Sequence, residues 1–256
     1  NHFKEQLTRE ITGSAQLNFG PSHLKKMVFP YVPRVVQDKI VDILDQIYKI
    51  EDALKSKAEL LDKLVKSRFI ELFGSILDVE KVTLSSVCRL ITDGTHQAPQ
   101  FTAVGVPFIF VSNIISNEID YSAEKFISEE VYKSLIKRTP IEVGDLLLST
   151  VGSYGHPAVV KSSRKFCFQR HIAYIKPDFD KINSCYLHAA ILSEPVQRRI
   201  NERVKGIAQK TLNLSEVKAL RIPLPGMEQQ KIFEAFSVQV DKSKYYRFKF
   251  ISLCRK

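Results

Sequence analysis

GIAQKTLNLSEVKALRIPLPGMEQQKI, Gly206 to Ile232, ends in a proline-bounded turn that opens into a run without proline or glycine. A related stretch, GSAQLNFGPSHLKKMVFPYVPRVVQDKI, occupies Gly13 to Ile40. Laid on one another, Ile232 falls on Ile40, Lys231 on Lys39, Gln229 on Gln37 and Pro225 on Pro33, an offset of 192 residues. Upstream of these prolines the offset is 193, matching Gly206 to Gly13, Ala208 to Ala15, Gln209 to Gln16, Ser215 to Ser22, Lys218 to Lys25 and Pro223 to Pro30. Each copy reads as the end of a globule, a turn in which proline forbids helix, and the start of a long helix. A globule-plus-helix unit used twice implies a pseudo-twofold molecule. The material before Asn1 is then expected to be most of a first globule.

Outward from the first copy, Gln37 to Phe73 contains neither Gly nor Pro. Ile40, Ile43, Ile47, Ile50, Leu54, Leu61 and Leu64 recur in steps of three and four, with Lys57 and Arg68 completing the register. This narrow seam is a heptad pattern that needs another helix against it, on a rod of roughly 50 Å. Gly74 is expected to end the rod by taking positive φ. The second helix, from Met227 onward, carries a stripe that includes Ile232, Phe236, Tyr246 and Phe250. Each helix lacks an apolar partner of its own, so the two are expected to pair antiparallel.

Between the helices the texture is strand-like. KVTLSSV, VPFIFVSNI, DLLLSTV, HPAVVKS and HIAYIKP are short β-branched or aromatic runs bounded by turn residues. One helical interlude is expected near Ser128 to Lys137, and two helices joined at Ser193 to Pro195 lie within Asn183 to Gly206. The fold class expected is α/β (α+β), a mixed-sheet domain flanked by two long helices paired as an antiparallel coiled coil. Its segments are a tail of a first globule (1–33), a central helix (34–74), the globule (75–225) and a distal helix (226–256).

With 38 Lys and Arg against 28 Asp and Glu, the net charge of +10 favours a polyanionic partner such as nucleic acid or an acidic membrane surface. Cys88, Cys167, Cys185 and Cys254 form no C-x-x-C pair and sit among apolar residues, so reduced thiols in a cytoplasmic protein are expected rather than a zinc site. No run approaches the length of a membrane span and no signal-peptide pattern opens the chain.

Catalytic motifs fare poorly. PDFDK (Pro177–Lys181) with EVK (Glu216–Lys218) offers the Asp, Glu and Lys of a metal-dependent nuclease. The position equivalent to Glu216 is His23, so the repeated segment works without that carboxylate. Gly152 and Gly155 in TVGSYGHP suit a tight hairpin better than a phosphate cradle. No Walker-type loop, G-x-G-x-x-G turn or metal-ligand histidine spacing is present.

What remains is a surface for recognition. Thr95, His96 and Gln97, then Ser112 and Asn113, then Ser153 and Tyr154, then Gln169, Arg170 and His171 interrupt apolar text with groups able to reach base edges. Arg198, Arg199, Arg203, Lys205 and Lys210 are expected phosphate contacts.

ITDGTHQAPQFTAVGVPFIFVSNI, EVGDLLLSTVGSYGHPAVV, FQRHIAYIKP and IPLPGMEQQKI follow one another in an order that resembles the DNA-specificity subunit of type I restriction-modification systems. The resemblance implies that residues 75–225 are a second target recognition domain, 34–74 and 226–256 conserved-region helices, and 1–33 the tail of a first recognition domain. It implies a non-catalytic subunit that reads half of a bipartite double-stranded DNA target and docks modification subunits, with a restriction subunit joining them. S-adenosylmethionine, ATP and Mg²⁺ would belong to those partners, and this chain would hold no cofactor. Two other readings remain open: a stand-alone restriction endonuclease with a similar reader, and a half-length or silent cassette acting as a homodimer.

Overall fold

A computed structural model describes residues 2–11, 18–78, 82–206 and 210–254, the side chains of 244–254 excepted. The repeat positions Gly13, Ala15, Gln16, Ala208 and Gln209, and the side chains of Tyr246 and Phe250, lie outside the described residues. The chain divides into two compact units, 1–56 and 57–256.

The first unit opens with helix α1 (His2–Glu10) and the short α2 (Pro21–Leu24), and among the described residues no longer helix forms before Arg34. The side-chain amide of Gln6 clasps Val28, accepting from its N–H at 2.8 Å and donating to its carbonyl at 2.9 Å. Helix α3 (Arg34–Phe73) then runs for 40 residues, through the boundary between the units. It does not end in a left-handed glycine: Gly74 is absent from the positive-φ positions and instead starts a 3₁₀ turn, Gly74–Ile76, that tightens the last turn.

The second unit continues with β1 (Val82–Thr83), β2 (Cys88–Asp93), β3 (Val106–Ile109), β4 (Phe126–Ile127), α4 (Glu129–Leu135), β5 (Leu146–Ser149), β6 (Pro157–Val159), β7 (Cys167–Phe168) and β8 (Ile172–Pro177). Helices α5 (Ser184–Leu192), α6 (Glu194–Arg203) and α7 (Leu214–Ala219), strand β9 (Arg221–Ile222) and helix α8 (Met227–Cys254) complete it. Among the described residues three sheets form, ordered β2-β8-β5-β6, β4-β3-β7 and β1-β9. The first is antiparallel throughout, while β3 pairs with β7 in parallel.

The uninterrupted apolar text of β5 has a direct cause. Leu146 and Leu148 face a core built with α5, α6, α7 and the end of α3, while Leu147 faces a second core with Tyr174, Phe166 and Ile109. A sheet covered on both faces has no polar side to alternate with. Beyond β4-β3-β7 a third cluster joins Phe108 and Ile127 to Val131 and Leu135 of α4.

Within the second unit the two long helices meet at aromatic residues. Phe233 lies edge-on to Phe69 and Phe73 at 5.5 and 5.9 Å, and the Arg68 guanidinium sits 5.9 Å over the Phe236 ring. Rising numbers on α3 thus meet falling numbers on α8, an antiparallel order. Gln230 explains part of the MEQQKI text: wholly buried, it accepts from Asn183 N at 2.8 Å and donates to Pro225 O at 2.9 Å, tying α8 to the cap of α5. Ile40, Ile43, Ile47 and Ile50 remain 41–58% exposed, Leu64 is exposed, and Leu54 and Leu61 are half-buried.

The internal repeat is also a structural one. At the same offset of 193, α1 corresponds to α6, α2 to α7 and Val28–Phe29 to β9. Gln6 corresponds to Arg199, and its bond to Val28 O is matched by Arg199 Nη1 donating to Arg221 O at 3.5 Å. The pairs differ in burial: Val196 and Ile222 are wholly buried, whereas Phe3 is 39% and Phe29 59% exposed. In the second unit β9 pairs antiparallel with β1.

Candidate nucleic-acid interface

The adjacent ends of β3 and β7 start a chain of backbone bonds that stitches five loops together. Gln169 N donates to Ile109 O at 3.2 Å, Thr95 N to Phe168 O at 3.2 Å, and Arg170 N to Thr95 O at 3.1 Å. Thr150 then donates to His171 O through both its N–H and its hydroxyl, each at 2.9 Å. Leu212 N donates to Thr150 O at 2.8 Å and Gly152 N to Lys210 O at 2.9 Å, bringing in the segment that follows α6. The stretches around residues 95–97, 110–113, 150–154 and 169–171, with 205–206 and 210–212, therefore form one backbone-locked rim. A rim fixed by its main chain leaves side chains free to contact a ligand at little ordering cost.

Side chains on this rim fall into two groups. His96, Gln97, Ser112, Ser153, Arg170, Lys205 and Lys210 are exposed, as is Arg198 on α6, while Thr95, Gln169 and His171 are half-buried. The others are engaged internally. Asn113 accepts from Phe110 N at 3.0 Å as the cap of a 3₁₀ turn, and the Tyr154 hydroxyl donates to Asn201 Oδ1 at 2.9 Å. Two of the expected phosphate contacts are paired within the fold. Arg199, 14% exposed, bonds Leu77 O and Asp78 Oδ1, both at 3.2 Å, and Arg203 pairs with Glu216 at 2.8 Å. Spacing on α6 could not separate the inward arginines from Arg198.

Asp93, at the end of β2, accepts from His96 Nε2 at 2.9 Å and from Arg138 at 2.5 Å, so one carboxylate orients both side chains. Partial burial and the neighbouring Arg170 charge lower the pKa of His171. A neutral ring there accepts from Arg170 Nε at 3.4 Å, which orients the guanidinium. Gly94 was hidden in plain text. A Cβ on it would stand 2.3 Å from Phe168 O and 2.4 Å from Gln169 O, so only glycine lets the two loops touch. A lone glycine in a polar loop reads simply as a turn; its close neighbour is more than seventy residues away and leaves no mark nearby.

The nuclease fragments do not gather. Asp178 is held by Arg89 at 3.0 Å and Lys181 at 3.2 Å, which lower its pKa, and Glu216 is held by Arg203. Among the described residues no three His, Cys, Asp or Glu side chains group as a metal would need, and no helix is long and apolar enough to cross a membrane. Burial raises the Cys88 and Cys167 thiols to about 12, far from the range of a reactive thiolate.

Fold and rim together define a recognition module: a rigid stack of sheets that presents fixed loops, joined to long helices. The model of the family described as type I restriction modification DNA specificity domain matches residues 76–244, and the chain belongs to that family. The EcoBI type I restriction enzyme specificity subunit of Escherichia coli is 31% identical over 126 residues, 49% of this chain and 26% of that protein. The MjaVIII type I restriction enzyme specificity subunit of Methanocaldococcus jannaschii is 22% identical over 245 residues, 83% of this chain and 56% of that protein. The solved type I restriction-modification S subunit from M. genitalium has a similar fold, with a TM-score of 0.60 at 14% identity over 97% of this chain and 66% of that one. Across the curated relatives it matches, the chain spans between 26% and 56% of their length.

Proposed function

We propose that this chain is the sequence-reading, non-catalytic part of a type I specificity subunit. The rim formed by residues 95–97, 110–113, 150–154 and 169–171, with 205–206 and 210–212, reads one segment of a bipartite duplex target. The single observation that carries this reading is the rim itself, five loops far apart in sequence locked by main-chain bonds with Arg170, Lys205 and Lys210 exposed on it. Arg170 and Gln169 have the side chains shaped for bidentate contact with guanine and adenine; Lys205, Lys210 and Arg198 supply phosphate contacts.

The helices dock modification subunits, and a restriction subunit joins that assembly. Two equivalent patches support this: Ile40 and Ile232, each preceded by a lysine, are 46% and 47% exposed at matching positions of the repeat. S-adenosylmethionine, ATP and Mg²⁺ then act on the partners.

The test is to incubate the chain with duplex DNA and Mg²⁺ over a range of salt. Binding that weakens steeply with salt and leaves the DNA intact is expected; robust cutting would replace this reading with the nuclease one.

A further inference from the structure

Several cations of the globule are balanced by carboxylates. Lys161 bonds Asp241 and Glu118, Lys165 bonds Glu129, Lys176 bonds Glu142 and Asp145, and Lys181 bonds Asp178. Lys125 is different. Its ammonium lies 4.7 Å over the Phe101 ring and 5.6 Å from that of Phe110, and among the described residues it forms no ion pair, the adjacent Glu124 included. The rings are themselves fixed, since Phe101 and Phe110 both pack edge-on against buried Phe108 at 5.3 Å. A cation over aromatic faces keeps its full charge and loses side-chain freedom without being neutralised.

The topology places Lys125 on the rim. Its carbonyl accepts from Phe108 N at 2.9 Å, so it stands beside the last residues of β3. Gln169 bonds Ile109 on the other side of that strand, and Thr95 bridges to Gln169. Lys125, Phe110, Gln169 and Thr95 thus succeed one another across the same strand ends. At about 4.8 Å per strand, Lys125 and the Gln169–Arg170 pair stand on the order of 10 Å apart along that edge.

We infer that Lys125, pinned by Phe101 and Phe110, is a preorganised phosphate contact at one end of the DNA-reading rim. The inference rests on the function proposed above and adds a residue that neither charge clustering nor loop text singled out. Its role is to anchor the backbone of the duplex while Gln169 and Arg170 address the bases.

Arg164 provides an internal control. It too lies over an aromatic ring, 5.3 Å from Tyr121, but it precedes β7 and so belongs to the opposite end of the strands. The experiment measures the affinity of the full chain for duplex DNA against salt for wild type, Lys125→Met, Lys125→Arg and Arg164→Met. Methionine keeps the aliphatic packing on the rings and removes the charge. Removing one phosphate contact lowers the magnitude of the log–log slope by roughly 0.9. Lys125→Met is expected to show that loss equally on all duplex sequences, with Lys125→Arg restoring it and Arg164→Met leaving the wild-type slope. An unchanged slope in Lys125→Met, or an equal loss in Arg164→Met, overturns the inference while wild-type binding still supports the reading. Failure of the wild type to bind duplex DNA with any salt dependence overturns both.

Discussion

Gly94 shows how a single residue sets the shape of the rim. Its backbone dihedrals lie outside the left-handed region, so the constraint is steric: the carbonyls of Phe168 and Gln169 occupy the place of a side chain. Gly94→Ala is expected to cost about 1–3 kcal/mol, the range for overpacking a site that cannot yield, and to weaken DNA binding beyond what the stability loss explains; chemical denaturation and titration with duplex DNA check the two effects. His188 is a second such residue. Its Nε2 bonds Asn117 O at 3.0 Å, and burial holds its pKa below the ordinary value. A depressed imidazole means that the unfolded chain takes up the proton first. The associated stability is present in full above about pH 6.5 and is lost as pH falls below it. Thermal melts at pH 7 and pH 5 are expected to drop further for wild type than for His188→Gln; equal drops would remove His188 as the cause. Neither residue declares itself in sequence, because both depend on neighbours brought close by folding.

Among the elements, the helices were the legible part. The run from Gln37 to Phe73 forms a single helix, and the break at Ser193 to Pro195 separates α5 from α6 as proline and a turn should. The apolar strand text was legible as strand but not as pairing. Leu146 to Leu148 face two different cores, and the parallel bond of β3 to β7 joins segments about sixty residues apart, which no local pattern encodes. The repeat was readable only downstream of Gly13 and Gly206. Upstream, α1 and α6 share no identical residue, but Phe3 and Leu7 keep the apolar spacing of Val196 and Ile200. The contact of α8 with α3 rests on Phe233, wholly buried against Phe69 and Phe73. Phe233→Ala is expected to cost about 3–5 kcal/mol, measured by denaturant unfolding. A loss under 1 kcal/mol would mean that the aromatic junction does not hold the two helices.

At the scale of the whole molecule, charge and repeat say different things. The net charge of +10 pointed to a polyanion without choosing a face. In the structure Arg199 and Arg203 are drawn inward to Asp78 and Glu216, while Arg170, Lys205, Lys210 and Lys125 stay outward. In the repeat, Phe3 and Phe29 are exposed at the positions equivalent to Val196 and Ile222, which are wholly buried in the second unit. That the rim reads base sequence, as proposed, is tested most directly by sequencing the methylated motifs of a host that expresses this chain together with type I modification subunits, as wild type and as Arg170→Ala. A new methylated motif, with one position relaxed in the variant by about 1–3 kcal/mol of lost discrimination, is the expected result. No new motif, or one that is identical in both, would contradict it.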